Sequence, residues 1–420
     1  MTAAERQAVV ARSNQMLADI ATLRSSAPLI DAPRGHILGP HMMLKPDQFP
    51  TLHNAHLQDG PHAQPRIDGA PNFRQIGKDP IYGVAQPTID GIKRVLEQVG
   101  AGPGGAKTAY WTNLREEPVI YVNGKPYNPR KRDQPYDNVE QPDASAEDVE
   151  RSDARLKQDV LDEAKRNGGY LVFEDEETGP DGKPHLVERR EKVETVQTPR
   201  EVYDELKAQG YRVDYARVPV SDEKVPSEQD LDALVQRFKN ADPDAPEIFN
   251  CHAGRGRTTT GEVIADIMRR ARLGKDDTSI VRNPAVHEDI REQGDYHRGN
   301  YRSILRLIQS MDHGGLAKSD ADHSIDRSDA MTNLREAIAA QQKKAREART
   351  PEERAQLQAR AQDYLKRYFY LVAFDEYARE QAPDFNKPFS QWMDENGLRD
   401  QLGELELAQA RAMEGSTACA

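Results

Sequence analysis

The stretch E-I-F-N-C-H-A-G-R-G-R-T-T-T-G-E-V-I-A-D-I-M-R-R, residues 247–270, admits few local folds. Glu247 to Asn250 reads as the end of a short buried strand. From Thr258 onward, Val263, Ile264, Ile267 and Met268 recur at helical spacing on one apolar face. Between strand and helix, Gly254 and Gly256 let the backbone curl so that successive N–H groups point inward. The result is an anion nest capped by the positive end of a helix.

The side chains in that turn suit phosphoryl chemistry. The donors that hold a phosphate also stabilise a thiolate, and Cys251 opens the nest. Arg257 can fork two hydrogen bonds onto a phosphoryl group and hold its charge as it transfers. Thr258 can donate to the sulfur and help it leave in a second step. A lone cysteine before a helix is read as a small buried residue. Cysteine, five residues, arginine and threonine around two glycines read instead as a phosphatase. His252, Ala253, Gly254, Arg255 and Gly256 then form the wall that meets substrate, and His252 and Arg255 are expected to add positive charge beyond Arg257. The bland alternative for Arg255 is a solvent-facing loop residue.

Composition bounds the setting. The 420 residues suit two to three domains, or one large domain with extensions. No apolar run approaches the ~20 residues of a membrane span, and the first residues lack the pattern of a secretory signal. Two cysteines, Cys251 and Cys419, argue against a disulfide framework and suit a reducing compartment. A net charge of −12 speaks against nucleic acid as partner, and requires a local basic pocket for any polyanionic substrate.

Along the chain, residues 1–60 read as tail or linker, with a helix around Ala4 to Leu23. Thr88 caps a helix with Ile92, Val95, Leu96 and Val99 as its buried stripe. A strand then runs into N-L-R-E-E-P, and Val119 to Val122 forms a second strand closed by an Asn123-Gly124 hairpin turn. The basic patch Arg130, Lys131, Arg132 reads as solvated loop. A helix from Asp153 to Arg166, a strand pair at 170–173 and 186–187, a helix opened by Thr198-Pro199 and a strand from Tyr211 to Val220 follow. Helices are expected from Glu228 to Lys239, from Tyr301 to Met311, and through most of 324–412. Strands alternating with helices, then helices alone, give an α/β domain with a helical C-terminal extension. The expected division is 1–60 loose, 61–320 phosphatase core and 321–420 helical extension packed on the core.

The 251–258 turn resembles the phosphate loop of the cysteine-dependent protein tyrosine phosphatase superfamily. The histidine usual before the cysteine is Asn250 here, which bears on the hydrogen bonding behind the loop and not on the nucleophile. In that superfamily the general acid is an aspartate on a loop upstream of the cysteine. Asp222 of V-P-V-S-D-E-K-V-P occupies such a place, with Glu223 in reserve; the bland reading makes both exposed turn residues. The loop is also similar to that of phosphoinositide phosphatases, which carry lysines where His252 and Arg255 stand.

The resemblance reaches further. P-N-F-R with I-Y-G-V-A-Q-P, N-L-R-E-E-P-V-I-Y-V-N-G-K-P-Y, G-Y-R-V-D-Y-A-R-V-P-V-S-D and Y-F-Y-L-V-A-F-D-E-Y look like the paladin family and its relatives. Those relatives include the bacterial protein-tyrosine-phosphatase-like phytases, which dephosphorylate myo-inositol hexakisphosphate. The resemblance implies a tyrosine-phosphatase fold, a central mixed sheet flanked by helices, with a basic pocket for inositol polyphosphate and no metal or other cofactor. It implies Cys251 as nucleophile, Arg257 as phosphate clamp and Asp222 as general acid. Arg74 and Arg115 become pocket cations or structural pins, and Arg298 and Arg302 candidates for the pocket rim. The D-L-R-x-E motif of some phytases is N-L-R-E-E here, so Asn113 lacks their aspartate charge. Competing expectations are a protein tyrosine or phosphoinositide phosphatase, or an inactive inositol-phosphate-binding scaffold. The family includes bacterial proteins delivered into host cells, so cytoplasmic residence or delivery without a Sec signal are the expected localisations.

Overall fold

A computed structural model describes residues 36–47, 57, 64–180, 183–222, 224–274 and 299–403. The chain divides into two compact units. One comprises residues 29–222 and 240–265 and carries the sheets; the other comprises 1–28, 223–239 and 266–420 and is helical where described.

The sheet unit is built on five strands: β2 (Arg74–Gln75), β3 (Ile81–Ala85), β4 (Ala109–Arg115), β10 (Val213–Val220) and β11 (Glu247–Cys251). Their order is β10-β4-β11-β3-β2. The first four in that order are parallel and β2 is antiparallel, which makes the sheet mixed. Residues on the central strand β11 are buried throughout, as a strand covered on both faces requires. One face packs on α1 (Ile89–Gln98) and α3 (Pro199–Ala208), where Ile92, Val95 and Leu96 meet Trp111, Tyr203 and Ile248. Thr88 caps α1 by accepting from the Gly91 amide, and Thr198 closes a capping box with Glu201 on α3.

A second sheet, order β1-β6-β5-β9, is antiparallel. It contains β1 (Met42–Pro46), β5 (Ile120–Val122), β6 (Lys125–Lys131) and β9 (Val196–Gln197). Asn123 and Gly124 turn β5 into β6 with φ of 50° and 79°, the left-handed pair of a tight hairpin. This sheet packs on α2 (Ala146–Arg166) and on the hairpin β7 (Tyr170–Thr178) with β8 (Pro184–Lys192), burying Leu44, Val122, Leu156, Val160 and Leu171 together.

Two expectations change here. Residues 42–46, read as tail or linker, form β1, and Asp47 after it is fully buried. The basic patch read as solvated loop lies largely in β6, where Arg130 is 1% exposed while Arg132 beyond the strand is exposed. The reason is one pairing: β6 finds β1 across more than eighty residues, Met43 opposite Arg130. The expected Ala4–Leu23 helix and Cys419 lie outside the described residues.

In the helical unit the described residues include α4 (Glu228–Phe238), α6 (Arg302–Ser310), α7 (Gly314–Arg327), α8 (Leu334–Glu347), α9 (Pro351–Gln381) and α10 (Phe389–Glu395). The aromatic run of α9 is buried, with Phe374 and Tyr377 packed edge-on to Phe389 and Trp392 of α10. Helix α5 (Gly256–Arg272) starts in the sheet unit; from Asp266 it counts with the helices, where Arg270 pairs with Asp320 at 3.0 Å.

Candidate functional site

Parallel strands β3, β4, β10 and β11 all end at one edge of the sheet, the edge where open α/β sheets place their ligands. Cys251 is the last residue of β11, and α5 begins at Gly256. The intervening turn is held from outside by its carbonyls. His252 O accepts from the Gln86 amide at 3.0 Å, Ala253 O from Asn72 Nδ2 at 2.9 Å and Gly254 O from Arg74 Nη1 at 2.7 Å. Peptide units are planar and trans, so the amides of Ala253, Gly254 and Arg255 face the opposite, inner side. Gly254 has φ +68°, and a Cβ there would lie 2.6 Å from the Ala85 nitrogen. Only glycine fits this position.

Cys251 is 4% exposed, and its Sγ receives a hydrogen bond from Thr258 Oγ1 at 3.1 Å. Arg257 is gripped by Glu117 in a two-pronged pair, Nη1 to Oε2 at 2.7 Å and Nη2 to Oε1 at 2.9 Å. Nη1 also donates to Val220 O at 3.2 Å, and Asp222 Oδ1 stands 3.2 Å from Nε. Burial opposes the Arg257 charge, but Asp222 and Glu117 outweigh it and hold the guanidinium well above its usual range. Asp222 follows the end of β10, its side chain is 40% exposed, and Asn138 Nδ2 donates to its Oδ2 at 2.6 Å. The fold thus brings Cys251, Thr258, Arg257 and Asp222 together. Glu223 lies outside the described residues.

Arg74 and Arg115 were expected as pocket cations or pins, and their contacts are those of pins. Arg74 is 2% exposed, with Nη2 on Glu262 Oε2 at 2.6 Å and Nη1 on the loop carbonyl. Arg115 is fully buried, Nε on Glu117 at 2.9 Å and Nη1 on Asp47 at 2.5 Å. Behind them, Arg217 pairs with Asp153 at 2.7 Å and donates to the carbonyls of Arg115 and Glu117, while Asp153 accepts from the Val119 amide. The backbone that carries Glu117 is therefore fixed on both sides.

Asn250 replaces the usual histidine without leaving a gap. Its Oδ1 accepts from Trp111 Nε1 at 2.9 Å and its Nδ2 donates to Gln86 and Asn113. His252 departs from expectation. Burial first, then Arg130 and Arg115, hold its imidazole well below the ordinary value, so it is neutral at pH 7 rather than cationic. Its Nε2 sits 3.4 Å from both Arg130 Nη2 and Asp47 Oδ1. Arg255 is exposed, Arg302 is an exposed residue at the start of α6 in the helical unit, and Arg298 lies outside the described residues.

Sequence reading took Arg130 for solvated loop and passed over Glu117, Asn138, Asp47, Gln86 and Asn72. Glu117 had a signal, the second acid of N-L-R-E-E. The others act across 29 to 205 positions and had none.

The family model for PTP-like phytases, described by the words inositol hexakisphosphate, matches residues 112–269. Paladin of Xenopus tropicalis is 29% identical over 83% of this chain and 39% of its own length. Paladin of Gallus gallus is 30% identical over 77% of this chain and 36% of its own. The chain spans less than half the length of these curated relatives. A PTP-like myo-inositol phosphatase from Mitsuokella multacida, solved in complex with myo-inositol-(1,3,4,5)-tetrakisphosphate, superposes with a TM-score of 0.53 at 16% identity, over 86% of this chain and 48% of that one. The fold is therefore that of the PTP-like phytases, and the chain is similar in sequence to the paladins and, over residues 112–269, to the PTP-like phytase family model.

Proposed function

We propose that this chain is a phosphatase of inositol polyphosphates, myo-inositol hexakisphosphate among them, acting through a phosphocysteine at Cys251 without a metal. One observation carries the reading. The Cys251 sulfur, bonded by Thr258, opens a ring of inward amides beside an arginine that Glu117 fixes and Asp222 flanks. The matched family and the inositol phosphate bound by the Mitsuokella neighbour support the substrate class.

The steps follow from the groups present. The Cys251 thiolate attacks phosphorus, a sulfur–phosphorus bond forms and the ester P–O bond breaks. Asp222 in its acid form gives its proton to the departing alkoxide. Arg257 and the loop amides hold the equatorial oxygens as charge spreads over them. Water then attacks the phosphocysteine, Asp222 as carboxylate takes its proton, and the sulfur–phosphorus bond breaks as Thr258 donates to the leaving sulfur. Inorganic phosphate departs.

The test is phosphate release from myo-inositol hexakisphosphate by the full chain, with and without chelator, beside Cys251→Ser. Turnover insensitive to chelator, abolished by the substitution, and a phosphoryl adduct on Cys251 after acid quench are expected. Full turnover by Cys251→Ser would refute the mechanism. Tight inositol phosphate binding with no turnover of any phosphomonoester would make the chain a binding protein instead.

A further inference from the structure

Arg130 is a buried cation that forms no ion pair with a carboxylate among the described residues. It projects from β6 and is 1% exposed. Its Nε donates to Asn128 Oδ1 at 3.2 Å, and its Nη2 lies 3.4 Å from His252 Nε2. Among the described residues its Nη1 has no acceptor, nor has Asn128 Nδ2 two residues earlier, nor Arg115 Nη2 in the same network. These three atoms are donors, and the same network leaves one acceptor, Asp47 Oδ1, without a hydrogen bond. Buried charge is expensive unless paired, and burial already pushes the Arg130 guanidinium down from its ordinary range. The carboxylates whose charge reaches Arg130 are engaged elsewhere: Asp47 is bound to Arg115 and faces His252, Glu117 is bound to Arg257, and Asp222 stands at Arg257 Nε. Contact with His252 brings this set beside the loop that Cys251 opens, and His252, being neutral, adds no charge to that of Arg130.

We propose that Arg130 and Asn128, beside His252, form a second anion position next to the Cys251 loop, which takes a phosphate of the substrate other than the one being transferred. This rests on the polyphosphate reading above and names a residue that selects for it. A monophosphate fills the loop alone; a substrate with neighbouring phosphates also satisfies the orphaned donors of β6.

The experiment compares the full chain with Arg130→Gln and Arg130→Lys on myo-inositol hexakisphosphate and on p-nitrophenyl phosphate, after thermal melts establish folding. Removing a charged hydrogen bond to phosphate is expected to lower the ratio of kcat/KM for the two substrates by about tenfold or more, chiefly through KM, with Arg130→Lys intermediate. Inhibition of p-nitrophenyl phosphate hydrolysis by pyrophosphate should weaken by a similar factor in Arg130→Gln, and inhibition by inorganic phosphate by less than about threefold. Equal losses on both substrates, or equal weakening of both inhibitors, would overturn the proposal. If wild type hydrolyses p-nitrophenyl phosphate and not the inositol phosphate, the substrate reading fails while the inhibitor pair still decides Arg130. If it hydrolyses neither, calorimetric binding of pyrophosphate against phosphate to wild type and Arg130→Gln decides it in the same way.

Discussion

Glu117 and Arg257 are joined by two hydrogen bonds of 2.7 and 2.9 Å, carboxylate edge to guanidinium edge, with both side chains buried. The pair sits within a line of alternating charge that runs Asp47, Arg115, Glu117, Arg257, Asp222. Burial works against the Glu117 charge, yet Arg257 and Arg115 outweigh it and hold the carboxyl well below the usual carboxylate range. Such a line is a poor device for stability, because desolvation offsets most of its attraction. What it does is fix a plane. Arg257 cannot rotate without breaking both prongs.

Glu117→Gln keeps the shape and removes the charge. One acceptor remains where two stood, so Arg257 loses its fixed plane. kcat on the preferred phosphomonoester is expected to fall by about a hundredfold or more. Folding stability should drop by roughly 3–5 kcal/mol, because a buried charge is left without its partner. Steady-state kinetics and denaturant unfolding on the same sample measure both. Unchanged kcat would show that the grip does not serve catalysis.

Thr258→Ala removes the hydroxyl that reaches Cys251 Sγ at 3.1 Å. That donor matters most when sulfur departs as an anion. The second step is expected to slow by about tenfold or more, so that product appears as a burst followed by a slow phase. Rapid-quench measurements with a phosphoryl ester that releases a chromophore resolve the two phases. A single slow phase with no burst would place the effect on the first step instead.

Asp222→Asn separates leaving groups. An alkoxide leaves poorly without a proton, whereas p-nitrophenolate needs little help. Turnover of inositol phosphates should fall by about a hundredfold or more, and that of p-nitrophenyl phosphate by much less. Asn138→Ala, which removes the 2.6 Å bond to Asp222 Oδ2, should move in the same direction by a smaller factor. Equal losses on both substrates would mean that Asp222 acts only through Arg257.

Local chemistry made the loop legible. Cys251, Gly254, Arg257 and Thr258 lie within eight positions, and one strand-to-helix turn brings them together. Caps at Thr88 and Thr198 and the Asn123-Gly124 turn were legible for the same reason, since each is settled by its neighbours in sequence. Arg130 was not, because whether a charged strand end is solvated or buried depends on what pairs with it, and its partner is β1. Asp47, reaching Arg115 over 68 positions, and Asn138, reaching Asp222 over 84, were hidden likewise. His252 was misjudged in charge because its ionisation is set by burial and by two arginines that sequence order keeps far from it.

Glu116 gives a pH prediction opposite in sign to that of Glu117. Its carboxyl is 3% exposed, accepts from Ser221 Oγ at 2.7 Å, and is pushed up to about 7 by burial, with the Glu117 charge adding to the effect. The folded protein therefore holds this proton more tightly than the unfolded chain does. Its contribution to stability is full below about pH 4.5 and is lost as pH rises through about 7. For a single group displaced this far, the loss amounts to on the order of 3 kcal/mol by pH 8. Glu116→Gln cannot ionise, so its unfolding free energy should fall less than that of wild type between pH 5 and pH 8. Urea unfolding of both proteins across that range measures the difference. Parallel pH curves would show that Glu116 is already charged at pH 5, and that Ser221, next to Asp222, donates to a carboxylate throughout the working range.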